Sequence, residues 1–136
     1  MKPIKTALFI VLTIFYSCGD DQVNNPTGST EVPLQVKVTE VKNISGASII
    51  YYDRPNDENL QYVKAIWTTD DGLEYNQTAS FYTDSVLVDG FGKEGSYKVK
   101  LYSVSHGQTF SEPVEVTVNP MRPPYLVAYD NLQIMH

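Results

Sequence analysis

One cysteine, two histidines, few cations and a single short apolar run mark what this chain lacks. With Cys18 alone, no internal disulfide forms and a multi-cysteine zinc site is excluded. Ten Lys plus Arg stand against sixteen Asp plus Glu, for a net charge of -6 and a pI near 4.7. That balance repels a phosphate backbone, so nucleic acid is set aside as a partner. The run from Ala7 to Tyr16, broken only by Thr13, falls short of the roughly 20 apolar residues that a membrane-spanning helix needs. What is present is enough to fold: 136 residues, 42% of them hydrophobic and only 19% charged, fit one globular unit with appendages.

Lys2 and Lys5 ahead of the apolar run give residues 1–17 the layout of a cleaved leader. The run ends at Phe15, Tyr16, Ser17, Cys18 and Gly19, which resembles a bacterial lipobox, with Phe15 in place of the usual Leu and a bulky Tyr16. In that motif the leader is cut before a cysteine carrying a diacylglyceryl thioether. Acyl chains on Cys18 hold the protein to a membrane, each buried CH₂ contributing about 0.8 kcal/mol. The competing reading is an ordinary leader with a leftover or buried thiol. Residues 18–32, rich in Asn, Thr, Ser, Gly and Pro, read as a flexible tether. Asp20 and Asp21 resemble the export signal that sends Bacteroidetes lipoproteins to the outer face of the outer membrane; avoidance of inner-membrane retention is the alternative. Removing residues 1–17 takes away Lys2 and Lys5 and no acid, so the net charge moves from -6 to -8.

From Pro33 to Pro120 the periodicity is two rather than 3.6. Leu34, Val36 and Val38 alternate with polar residues in a first strand, and Asn43 to Gly46 supply a turn. Ala47, Ile49 and Tyr51 mark one face of a second strand, which places Tyr52 outward; Pro55 and its neighbours stop it. Val63, Ala65 and Trp67 mark a third, and Asp70, Asp71 and Gly72 a hairpin turn. Leu73 to Ser80 and Ser85 to Val88 are the fourth and fifth. Tyr97, Val99, Leu101 and Ser103 set the inner face of the sixth, and Val114, Val116 and Val118 that of the seventh. Seven short strands predict an all-β, antiparallel immunoglobulin-like sandwich.

The segment Val86 to Val104, with Phe91 six positions before Tyr97, resembles the tyrosine corner of a fibronectin type III domain. Ser111 to Val118 looks like the last strand of such a domain, and Tyr51 stands where these domains usually carry a core Trp. Leu60 to Trp67, Asp71 with Gly72, Gly90 to Gly92, and Val118 to Pro120 are similar to a fibronectin-III-like domain of unknown function, the 4959 type. That domain is found at the N-terminus of Bacteroidetes outer-membrane lipoproteins of glycan-utilisation loci. The resemblance covers about residues 30–124, with the domain itself bounded at 33–120. It implies a non-enzymatic, surface-exposed spacer or accessory binding module in glycan acquisition, or else an envelope adhesin or protein-interaction module; a small hydrolase ranks third. Family members continue into further modules, so residues 121–136 read as a linker and the truncated start of another. An extra edge strand from Tyr125, Leu126, Val127 and Tyr129 is the alternative, opposed by Pro123 and Pro124.

No residue is assigned a catalytic role. Gly90, Gly92 and Gly95 fit G-x-G-x-x-G, but a strand pattern follows where the phosphate-binding motif needs a helix, so no cofactor is expected. His106 sits in a hairpin loop and His136 is terminal. Asp53, Asp57 and Glu58 carry oxygen ligands without EF-hand spacing, and no metal site is assigned. Asp84, Ser85 and Val86 resemble an O-glycosylation triplet of Bacteroidetes. Aromatics make up 12% of the chain. Tyr62 and Tyr102 fall on neighbouring strands of one sheet beside Lys64, Ile66 and Lys100. They are the expected binding face, suited to stack on a sugar ring or receive an envelope protein.

Overall fold

Along β3 (Leu60–Thr68) the side chains of Val63, Ala65 and Trp67 are buried while Tyr62, Lys64 and Ile66 on the other side stay half-exposed. The same alternation marks β2 (Ala47–Asp53), β5 (Ser85–Val88), β7 (Val114–Val118) and most of β6 (Tyr97–Ser105) in a computed structural model, which describes residues 30–134. The other strands are β1 (Lys37–Ile44) and β4 (Glu74–Ser80). A helix, α1 (Pro124–Ile134), follows. The order β1-β2-β5 makes one sheet and β4-β3-β6-β7 the other, and every strand pair is antiparallel. Their inner faces enclose one core, from Val36, Ile50, Tyr52 and Val88 on one side to Val63, Trp67, Leu101 and Val116 on the other. Each fully buried Val or Leu there contributes roughly 1.5–3 kcal/mol.

Two strand-level expectations are corrected. Tyr52 points inward, only 2% exposed, and Tyr51 is the half-exposed neighbour, so Tyr51 does not occupy the core position. Ile49, Ile50, Tyr51 and Tyr52 are all apolar in body, and such a run satisfies either parity; a slip of one residue exchanges the faces. The pairing with β5 decides it, because Ile50 lies opposite buried Val86 and Ser48 opposite buried Val88. The first strand lies later than expected, at Lys37–Ile44, leaving Leu34 60% exposed ahead of it. A bulge between Val38 and Glu40 then shifts the inward set from Val36 and Val38 to Val41. The following turn needs only Ser45 and Gly46, since Ile44 already pairs with Ala47 and Gly46 takes a φ of 71°.

The C-terminal segment is helical, so the edge strand from Tyr125 to Tyr129, the alternative that Pro123 and Pro124 opposed, does not form. Pro124 suits a first helical turn, where its missing N–H has no partner to lose. None of the helix residues is buried, and the Tyr125 hydroxyl donates to the Gly92 carbonyl at 2.9 Å. Residues 1–17, Cys18, Asp20, Asp21, most of the expected tether and His136 lie outside the described residues.

The two ends of the sandwich differ. At one, the chain approaches β1 through residues 30–36: the Leu34 amide donates to the Asp57 carboxylate at 2.8 Å, and Thr109 donates to the Thr30 carbonyl at 3.5 Å. The β2–β3, β4–β5 and β6–β7 loops share this end. At the other, the amide of Gly46 donates to the Met121 carbonyl at 2.9 Å and that of Met121 to Ile44 at 3.0 Å, fixing the chain as it leaves β7. The nine residues of β3, at about 3.3 Å each, separate the ends by roughly 30 Å.

Candidate functional site

The outer face of the four-stranded sheet brings the expected residues together. Lys64 on β3 lies opposite Tyr102 on β6, Ile66 opposite Lys100, and Tyr62 opposite Val104, so the two tyrosines are diagonal neighbours about Lys64. Phe110, which sequence reading missed, completes the cluster. Its backbone bridges Val104, its ring meets Tyr102 edge-on at 5.8 Å, and the Lys64 ammonium lies 5.8 Å over the same ring. No strand pattern extends to Phe110, so its place on this face was not legible from periodicity.

These contacts also restrict the face. The Tyr62 hydroxyl shares a 3.0 Å hydrogen bond with the side-chain oxygen of Gln108, a residue held at a φ of 61°, so that phenol is tied to the β6–β7 loop. Tyr102 is half-buried against Phe110. Beside them a shallow groove of about 460 Å³ runs past Ile66, Thr68, Glu74, Lys98, Lys100 and Tyr102. Lys98 pairs with Glu115 at 2.9 Å, and that hydrogen-bonded ammonium holds the Glu115 carboxyl below its ordinary range. Lys64 and Lys100 add two further cations to the face, against Glu74 at the edge of the groove.

At the far end, Phe91 is buried with its ring 4.5 Å from Tyr97 and 6.4 Å from Trp67. The Tyr97 hydroxyl donates to the Lys93 carbonyl at 3.0 Å. Burial of the ring, and secondarily the Asp70 carboxylate, push this phenol above its ordinary range. Gly90 and Gly95 take φ values of 81° and 155° in the same loop, and Gly92 accommodates the Asp70 carboxylate and the Tyr125 hydroxyl. Strand β6 follows, so the glycines shape a turn and present no helix N-terminus to a phosphate.

The acids weighed for Ca²⁺ are partly spoken for. Asp57 accepts from the Leu34 and Asn59 amides at 2.8 and 2.9 Å, a structural use of its carboxylate. No group of three His, Cys, Asp or Glu side chains suited to a metal occurs among the described residues. His106 is exposed in the β6–β7 loop and lines a second cleft with Glu58, Gln61, Phe81 and Tyr82. Ser85, of the Asp84–Val86 triplet, is half-buried in β5 opposite Tyr51.

Comparison with known proteins places this geometry. The profile of a family described as a domain of unknown function, DUF4959, matches residues 33–120. No curated protein matches the chain in sequence. Among solved structures, a two-domain fibronectin type III segment from chicken tenascin is similar at a TM-score of 0.52 and 13% identity, over 66% of this chain and 49% of that one. The fibronectin type III domain of human collagen α-1(XX) gives 0.50 and 13%, over 69% and 84%. A β-1,2-glucanase from Parabacteroides distasonis gives 0.51 and 14%, over 76% of this chain and only 16% of the enzyme. At such identities the likeness is one of fold, which is that of a fibronectin type III sandwich.

Proposed function

From the premise that this chain belongs to the DUF4959 family of domains of unknown function, we propose that it is a lipid-anchored spacer and accessory binding module of glycan acquisition at the bacterial outer membrane. Its fold and family point to a non-catalytic module. The observation that carries the spacer reading is the opposed attachment of the chain. Thr30 to Leu34 are fastened at the loop end and Asn119 to Met121 at the other, roughly 30 Å away by strand length. A module joined in this way holds whatever follows it at a fixed distance from whatever precedes it. With Cys18 acylated, residues 18–32 tether the loop end to the membrane. The glucanase, in which a sandwich of similar fold makes up a small fraction of the chain, supports the accessory placement.

The anchor is tested by Cys18→Ala in cells with membrane fractionation and protease treatment of intact cells. The wild-type chain is expected in the membrane fraction and open to external protease, and the variant released. Continued detergent-only extraction of the variant refutes the anchor. The second reading, an interaction module for an envelope protein, is favoured by Lys64 and Lys100 on the outer sheet face beside Tyr102, which suit an acidic partner.

A further inference from the structure

The most exposed aromatic in the folded domain lies on neither expected surface. Tyr82 is 88% exposed at the corner of the β4–β5 turn, where the Thr83 amide and hydroxyl both donate to the Ser80 carbonyl at 3.0 Å. A phenol ring so open to water gains nothing for stability, yet its position is fixed. Phe81 meets it edge-on at 5.7 Å. Arg54 donates to the Phe81 carbonyl and places its guanidinium 4.8 Å over the Phe81 ring. One cation thus holds both the backbone and the ring beneath Tyr82, so the platform is organised before any ligand arrives.

The platform forms one wall of a cleft of about 410 Å³, within the roughly 300–1,000 Å³ of small-molecule sites. Leu60, Phe81 and Tyr82 supply its apolar surface; Glu58, Gln61 and His106 supply its rim. Among the described residues no hydrogen bond engages the Glu58 carboxylate, the His106 ring or the Tyr82 hydroxyl. The Gln61 side-chain oxygen accepts from Gln108 at 2.9 Å, leaving its amide donors open. The cleft therefore pairs the open face of the Tyr82 ring with solvent-exposed donors and acceptors that no protein group among the described residues engages. A pyranose has the complementary shape, one face of C–H groups and an equator of hydroxyls. Charge selects further: Glu58 lines the cleft, and Asp53, Asp57 and Asp84 lie at the same end of the sandwich, so an anionic sugar is disfavoured.

We infer that this loop-end cleft binds a neutral pyranose unit of an oligosaccharide, with Tyr82 as the stacking platform and Glu58, Gln61 and His106 as hydrogen-bonding partners. The inference rests on the glycan-binding reading above and moves its site from the Tyr62/Tyr102 face to the end of the sandwich.

The test is calorimetric titration of the full chain with neutral gluco- and manno-hexasaccharides, and with hexagalacturonate as the acidic arm. Wild type, Tyr82→Ala, Tyr82→Phe and Tyr102→Ala are compared. Binding of a neutral hexasaccharide is expected, weakened roughly tenfold or more by Tyr82→Ala, nearly retained by Tyr82→Phe, and unchanged by Tyr102→Ala. Because Tyr82 is so exposed, its variants fold as wild type does, which a thermal melt confirms. Binding lost in Tyr102→Ala and kept in Tyr82→Ala overturns this cleft while leaving the glycan reading standing. Preference for hexagalacturonate overturns the charge argument and with it the inference. No binding of any saccharide overturns both.

Discussion

Removing the Tyr97 hydroxyl and removing the Phe91 ring perturb the same corner in ways the structure distinguishes. Tyr97→Phe deletes one hydrogen bond, 3.0 Å to the Lys93 carbonyl, and leaves the ring packed 4.5 Å from Phe91. The orphaned carbonyl belongs to an exposed loop residue and is rehydrated by solvent, so the cost is that of an ordinary hydrogen bond, about 0.5–1.5 kcal/mol. For a domain of this size that is a fall in Tm of roughly 4–8 °C per kcal/mol. Phe91→Ala empties a site only 2% exposed between Trp67 and Tyr97, and the cavity cost is about 3–5 kcal/mol. Against a total stability of about 5–15 kcal/mol, that variant is close to unfolding. Phe91→Leu, which refills part of the space, is the milder companion. Trp67 is the only tryptophan, is buried, and lies 6.4 Å from Phe91, so its fluorescence reports unfolding from beside the perturbed site. Urea titrations followed at this residue are expected to rank Tyr97→Phe well above Phe91→Leu, and that above Phe91→Ala, at unchanged m-value. A Tyr97→Phe loss as large as that of Phe91→Ala refutes the reasoning, because the corner would then hold by its hydroxyl rather than by its packed rings.

Two pH limbs follow from the shifted groups. Asp71 and Glu115 are held below the ordinary carboxyl range, Asp71 by the Thr69 hydroxyl and Glu115 by Lys98, so the folded chain binds fewer protons than the unfolded one. Their contribution is complete above roughly pH 4–5 and is lost as pH falls through the lower folded values. Asp71→Asn with Glu115→Gln is expected to flatten the acid limb of Tm against pH, and an unchanged limb counts against these pairs. Burial raises the Tyr52 phenol, so its neutral form is favoured in the fold and stability declines as pH rises above roughly 10. Tyr52→Phe is expected to soften that alkaline decline with little loss at neutral pH, since its hydroxyl contact to Thr83 is long, at 3.5 Å. A large neutral-pH loss in this variant overturns the account.

The sandwich was legible where apolar and polar residues alternate without ambiguity. In β3, β6 and β7 the charged residues Lys64, Lys98, Lys100 and Glu115 all fall on one parity, so the face is fixed by chemistry, and Trp67, Leu101 and Val116 face the core as their spacing requires. The pattern gave way in β2, where four successive apolar residues satisfy both parities and only the partner strand chooses. It gave way again in β1, where an inserted residue at the bulge breaks the count of two. Helix α1 shows no amphipathic stripe and buries no residue, so the 3.6-residue signal that would have revealed it is absent.

Binding surfaces are harder to read because they are made across elements. Tyr62, Lys64, Ile66 and Tyr102 share a sheet face by period and register alone, and the structure brings them together. That same regularity limits them, since neighbours on a pleated face pack against one another, as Tyr102 does with Phe110 and Tyr62 with Gln108. A ring presented at a turn lacks the lateral neighbours of a sheet face, so it stays open even when a cation or a second ring fixes it from behind. Arg54, from the β2–β3 loop, does this for Phe81 and Tyr82 in the β4–β5 turn, across a sequence distance of 27 residues. No local pattern records such a pairing. The structure places the pre-organised aromatic surface at the loop end and the self-satisfied one on the sheet, and the contrast between Tyr82→Ala and Tyr102→Ala separates them.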